Sequence, residues 1–130
     1  MLDFADMDLY KLLIRVCSEY AVDPSSSLEA ETFFRQLLTQ YSGTDDPATV
    51  AAWLREQVPK YFMAIDERPK WIQGAEWAFD EYGNPMIFAG QIDIDSVERK
   101  RFESLLFHDD TSLYVFIGRK VDPVVVMQQY

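Results

Sequence analysis

Residues that carry chemistry are scarce in this chain of 130 residues, which has one cysteine, one histidine and five glycines. A single cysteine, Cys17, excludes an internal disulfide, so we expect a reducing, cytoplasmic location. Zinc needs three or four ligands, and no second histidine or cysteine joins His108. The scattered glycines form neither a phosphate-binding loop nor a nucleophile elbow. The sequence therefore predicts no metal, no cofactor and no enzyme activity.

Long apolar runs and an excess of basic residues are also missing. No stretch approaches the roughly 20 apolar residues that span a bilayer, and the acidic start differs from a signal peptide. The 22 acidic and 12 basic residues give a net charge of −10. This charge repels phosphate backbones and anionic lipids, so we expect no nucleic acid or membrane partner. The expected partner is a basic protein, unless the charge serves solubility alone.

What the chain does contain is a change of hydrophobic period near its middle. Apolar residues recur every three to four positions over 6–21, which predicts a first helix. A capping box of Ser26 and Glu29 predicts the start of a second helix. The Asp-Pro pair at 46–47 opens a third helix, which Pro59 should end or kink.

Beyond these helices the apolar residues alternate, as they do in strands. Residues 61–65 fit either a further helical turn or an extended lead-in. A short strand is expected near 76–79, a turn at 81–85 and a longer strand over 86–94, where Gly90 indicates a bulge or a close backbone approach. One face of the longer strand should carry Met86, Phe88, Gly90, Ile92 and Ile94.

The remaining sequence predicts a short helix over 95–106 and strands at 113–118 and 124–130. The last strand is apolar on both faces, which is typical of a covered central strand. We therefore predict a single α+β domain. Its three N-terminal helices (residues 1–65) pack on a C-terminal antiparallel sheet of about four strands (residues 66–130).

Two polar clusters are candidates for chemistry. His108 and the two aspartates after it suit a metal or a general base, but a solvated loop is the preferred interpretation. Asp93, Asp95 and Glu98 are spaced like the opening of a calcium loop that lacks its glycine and final glutamate, so helix capping is preferred.

Three aromatic residues, Trp71, Trp77 and Tyr82, surround the predicted turn. Their default position is the core, between the helices and the sheet. The alternatives are an exposed anchor for a partner protein, or the lining of a small-molecule pocket between helices and sheet.

Four short segments, at 71–73, 83–88, 90–93 and 113–116, resemble the YwqG-like family of bacterial proteins. A glycine-x-proline turn leads there into a strand with Gln-Ile-Asp, and a later strand reads Leu-Tyr-Phe-Phe or similar. The loop at 108–112 departs from the family's Gly-Asp-x-Gly turn, and the helical half has no counterpart. The resemblance implies a small cytoplasmic bacterial domain that works by binding, and it carries over no functional residue.

The sequence thus favours a protein-binding module, which we interpret as an immunity-type inhibitor of a basic toxin such as a nuclease. The residues predicted to meet the partner are acidic: Asp93, Asp95, Glu98, Asp109 and Asp110. The alternatives are a small-molecule-binding or regulatory domain and, third, an enzyme that uses His108. The sequence leaves open a monomer or a dimer.

Overall fold

A computed structural model describes residues 6–94, 111–118 and 122–129. Within these ranges the helices are α1 (Met7–Ser18), α2 (Leu28–Leu38) and α3 (Pro47–Tyr61). The strands are β1 (Ile87–Ile94), β2 (Thr111–Ile117) and β3 (Val124–Gln129), which form an antiparallel sheet in the order β1-β2-β3. The predicted α+β fold is confirmed, with three strands in place of about four. None of the described helices is both long and apolar enough to cross a membrane.

Helix α2 begins one residue later than the predicted capping box. The Ser27 hydroxyl accepts a hydrogen bond from the Ala30 N–H at 3.1 Å. The Ser26 hydroxyl instead donates to the Asp23 carbonyl at 2.8 Å. The predicted pairing of Ser26 with Glu29 is therefore wrong, because Ser26 closes the preceding turn and leaves the cap to its neighbour.

Helix α3 runs through Pro59 to Tyr61, so of the two predicted alternatives, an end or a kink at the proline, the end is wrong. A proline inside a helix leaves the carbonyl four residues earlier without its usual donor. Here that carbonyl belongs to Arg55, and it accepts a hydrogen bond from the Tyr20 hydroxyl at 3.2 Å. A contact from the end of α1 thus replaces the missing helical bond.

Residues 63–65 are extended and lie beside β1. Ala64 forms a parallel bridge with Phe88. The Phe88 N–H donates to the Met63 carbonyl at 2.9 Å, and the Ile65 N–H donates to the Phe88 carbonyl at 3.0 Å. This segment is the extended lead-in, and it extends the sheet by a short parallel edge.

The short strand expected near 76–79 is reduced to an isolated bridge between Phe79 and Pro85. Pro85 has no N–H with which to continue a ladder, which limits the pairing. The turn predicted at 81–85 is present, and Gly83 adopts a φ of 79° there. Glycine suits this position because other residues are strained at positive φ.

Strand β1 contains the predicted bulge, which reverses the expected faces. Phe88 pairs with Phe116, whereas Gly90 pairs with Val115. Neighbouring residues of β2 point to opposite faces, so Phe88 and Gly90 do as well. The prediction that Phe88 shares a face with Ile92 is therefore wrong, because the extra residue turns the rest of the strand over.

Strand β3 lies at one edge of the sheet that the described residues form, whereas its apolar character on both faces suggested a central strand without deciding between edge and centre. Its apolar residues divide between two environments. Val126 packs against the core, whereas Val125 and Met127 are more than half exposed.

A single hydrophobic core lies between the helices and the sheet face that carries Phe88, Tyr114 and Phe116. The ring of Phe34 from α2 stacks on Phe62 at 5.4 Å between centroids. The other large, fully buried side chains include Leu13, Leu37, Leu38, Leu54 and Met86. This burial fixes one face of the sheet, here called the inner face, against the helices.

Candidate functional site

Of the acidic residues predicted to meet a partner, Asp93 is the one that the structure describes. The others fall outside the described residues: Asp95, Glu98, Asp109 and Asp110. His108 and the helix predicted over 95–106 fall outside them too.

Asp93 lies near the end of β1, opposite Ser112 on β2. Its Oδ1 accepts hydrogen bonds from the Ser112 hydroxyl at 2.5 Å and from Gln91 Nε2 at 2.8 Å. The Ser112 bond, followed by the Gln91 bond, lowers the pKa of Asp93 below its ordinary value. The fold therefore holds this carboxylate in its ionised form.

Polar side chains at one end of the inner face form hydrogen bonds with the backbone of residues 70–74, and this set of contacts is here called the clamp. The Gln91 side chain accepts from the Lys70 N–H at 2.8 Å and donates to the Lys70 carbonyl at 3.1 Å. Gln128 Oε1 accepts from the Ile72 and Gln73 N–H groups, each at 3.0 Å. These amides are engaged in holding the fold together, so they do not form an open polar site.

The predicted aromatic trio separates into core and surface. Trp77 is buried, and its Nε1 donates to the Met86 carbonyl at 2.8 Å. Trp71 is half-buried, and its Nε1 donates to the Ala21 carbonyl at 2.8 Å. Tyr82 is 72% exposed. The two tryptophans belong with the core, as the default interpretation predicted, and they do not share a pocket with Tyr82.

The sheet face opposite the core is an apolar surface, here called the outer face. By strand alternation and pairing its large apolar side chains are Met63, Ile65, Ile87, Ile92, Ile94, Leu113, Val115, Ile117, Val125 and Met127, and the uncharged residues Gly90, Thr111 and Gln129 share the face. Five of these are strongly exposed: Met63 (48%), Ile65 (63%), Ile92 (54%), Val125 (56%) and Met127 (53%). The three strands carry one charged side chain, Asp93, and it belongs to the inner face.

A surface groove of about 470 Å³ opens at one end of the outer face, where Ile87 pairs with Ile117. Its walls include Tyr61, Met63, Tyr82 and Pro85, and its charged residues are Lys60 and Asp80. Asp80 Oδ1 already accepts from the N–H groups of Tyr82 and Asn84, each at 2.9 Å. The groove is therefore mostly apolar and carries opposite charges.

Acidic residues border the outer face along the chain. Asp66 directly follows Ile65, Glu81 precedes Tyr82, and Asp122 stands two residues before β3. All three of these acids are exposed. Basic residues stand equally near along the chain, since Lys60 lines the groove and Arg119 and Lys120 follow β2. The apolar centre is therefore flanked by charges of both signs.

Among the described residues, no group of three or more histidine, cysteine, aspartate or glutamate side chains could hold a metal ion. Cys17 is fully buried, and this burial raises the pKa of its thiol. A neutral thiol is a poor nucleophile, so Cys17 acts as a small core residue.

The sequence did not predict the outer face, because the bulge places Ile92 on the face opposite to the expected one. A signal was nevertheless present, since three strands with one charge among them are unusual in a chain this acidic.

Comparison with known proteins found no matching family model, no matching curated protein and no matching solved structure.

Proposed function

We propose that this protein is a protein-binding module that docks a basic partner on its outer face, as an immunity-type inhibitor of a toxin such as a nuclease. The observation that carries the proposal is an uncharged apolar face on a chain of net charge −10. Protein interfaces commonly combine a dehydrated apolar centre with a polar rim. An exposed apolar patch of this kind is a frequent mark of a docking site.

Electrostatics select the class of partner. A strongly acidic chain speeds the approach of a cationic protein and repels anionic ones. The proposed steering groups are the acidic border residues together with the acids predicted from the sequence, Asp93, Asp95, Glu98, Asp109 and Asp110. In a nuclease cleft, carboxylates beside the outer face would take the positions that phosphates occupy, whereas Asp93, which lies on the inner face, would contribute through its charge alone.

The test uses the purified, positively charged products of genes adjacent to this one. An unrelated cationic protein serves as the control for charge alone. We expect one adjacent product to bind, with an association rate that falls roughly tenfold or more between low and physiological salt. Failure of every basic product to bind would contradict the proposal.

Two matched variants locate the docking surface. Ile92→Lys with Met127→Lys alters the outer face, whereas Met7→Lys with Leu28→Lys adds the same charge at exposed helical positions. We expect the first pair to weaken binding roughly 100-fold, because buried charges at an interface centre are costly. The second pair should stay within about threefold. Equal losses in both variants would show that binding depends on charge alone.

The groove supports a second candidate function, the binding of a small molecule. Its volume of about 470 Å³ lies within the range of ligand pockets. Tyrosine walls and one charge of each sign suit a planar aromatic ligand with polar substituents. A fragment screen by NMR should give shifts confined to the groove, and Tyr82→Ala should abolish them. A screen without hits would remove this candidate.

A further inference from the structure

Strand β3 presents an open edge. Among the described residues it pairs with β2 on one side, without a register shift, and with no strand on the other. Soluble proteins usually protect such edges with charges, proline or a bulge. The sequence of β3, Val-Val-Val-Met-Gln-Gln, contains neither a charge nor a proline.

We propose that this edge is a strand-addition site whose occupant is β3 of a second copy of the chain. Unpaired backbone groups at a sheet edge accept another strand by forming the next ladder. Antiparallel pairing of β3 with itself is isologous, so a two-fold axis closes the assembly at a dimer. The result is one continuous sheet of six strands.

Face matching limits the possible registers, and among them the one centred on Val126 pairs the apolar outer-face residues of β3 with each other. Residues that stand opposite each other in an antiparallel pair point to the same face. When Val126 stands opposite the same residue of the second copy, Val125 stands opposite Met127 on both sides of the axis. This register joins the two outer faces into one apolar surface.

Charge favours this edge over the rest of the surface. Two chains of net charge −10 repel each other. The β3 edge brings uncharged residues together, and Asp122, the charged residue two positions before the strand, lies beyond the paired residues in this register. Because salt screens the remaining repulsion, added salt should strengthen the dimer. The contact is only about 20 Å long, so we expect a weak dimer at micromolar concentrations.

Sedimentation velocity on the full chain over a range of about 5 to 500 μM tests the proposal. The variant Val125→Glu places the new carboxylate of each copy opposite Met127 of the other, so two like charges lie close to the axis. Ile92→Glu is its control, because it adds the same charge to the same face at a similar exposure, 54% against 56% at position 125. We expect Val125→Glu to weaken dimerisation roughly tenfold or more, with the control within about twofold. Amide exchange should slow in β3 as concentration rises.

A chain that stays monomeric over the whole range, or a dimer unaffected by Val125→Glu, would overturn the proposal. Unfolding curves of both variants show whether either has lost its fold. The outcome is independent of partner docking, because salt acts in opposite directions on the two associations. Dimerisation strengthens with salt, whereas binding of a basic protein weakens.

Discussion

The two faces of the sheet differ in almost every property, although the same strands build both. On the inner face, Phe88, Tyr114 and Phe116 are buried. On the outer face, Ile92 and Met127 are more than half exposed. The inner face is apolar because the helices cover it. No described residue of the outer face belongs to the core cluster, and our proposal accounts for its apolar character by the recognition of a partner.

Aromatic packing makes the inner face rigid. The ring of Phe116 lies 5.3 Å from that of Phe88 and 5.4 Å from that of Trp77, measured between centroids. Such rings remove much apolar area from water and lock one another in place. Changes on the inner face should therefore cost stability, whereas changes on the outer face should cost binding.

The largest expected effect is the difference in unfolding free energy between substitutions at two neighbouring residues of β2. Phe116→Ala removes a fully buried ring, so we expect the free energy of unfolding to fall by about 3–5 kcal/mol. Ile117→Ala, on the outer face, should cost about 1 kcal/mol because the side chain is only half-buried. Denaturant unfolding measures both. Equal losses would remove the distinction between the faces.

The next effect concerns the clamp at the polar end of the inner face. Gln128→Ala leaves the Gln73 N–H without its acceptor and the Gly74 carbonyl without its donor, so we expect a loss of about 1–3 kcal/mol. The Ile72 N–H keeps the Tyr114 hydroxyl as an acceptor at 3.1 Å. Gln129→Ala is the control, because Gln129 takes part through its backbone carbonyl. The same unfolding curves give both values. An unchanged free energy of unfolding in Gln128→Ala would show that the clamp does not stabilise the protein.

A smaller effect compares two adjacent valines of β3. Val126→Thr places a hydroxyl against the core, and we expect a loss of about 1 kcal/mol. Val125→Thr places the same hydroxyl on the outer face and should change stability by less than about 0.5 kcal/mol. Thermal and denaturant unfolding measure the difference. The reverse order would mean that the faces are assigned the wrong way round.

The smallest effect concerns the one charge on the sheet. Hydrogen bonds lower the pKa of folded Asp93, so its carboxylate stabilises the protein above the ordinary aspartate pKa of about 3.9. That contribution is lost as the pH falls through the lower folded value. Asp93→Asn should therefore be less stable at neutral pH and lose less stability on acidification. Unfolding curves from pH 7 to about pH 3 test this, with Asp66→Asn as the exposed control.

Local signals predicted the helices well, because apolar period and caps act within a few residues. The errors arose where another part of the chain intervened. Helix α3 passes Pro59, and Tyr20, distant in sequence, donates to the Arg55 carbonyl that the proline leaves without its helical donor. Ser26 does not cap α2, because its hydroxyl donates to the Asp23 carbonyl in the preceding turn.

The candidate site was harder to predict than the fold. Asp93 was identified as a surface acid, but its bonds to Ser112 and Gln91 depend on the pairing of two strands. The outer face depends on where the bulge falls, and sequence indicated the bulge without showing that Ile92 changes sides. The class of partner, a basic protein, was predicted from charge and composition, which do not depend on geometry, and it remains our proposal.

The bulge in β1 also decides where this strand can tolerate a change in length. Ala89 has no partner on β2, so its removal would leave Gly90 opposite Val115 and every later side chain of the strand on its present face. One further residue would need a wider bulge, since otherwise Gln91 would release the backbone at Lys70 and Ile92 would turn towards the helices. At this point a single-residue deletion should therefore be tolerated better than an insertion, because β1 already has one residue more than its partner strand needs.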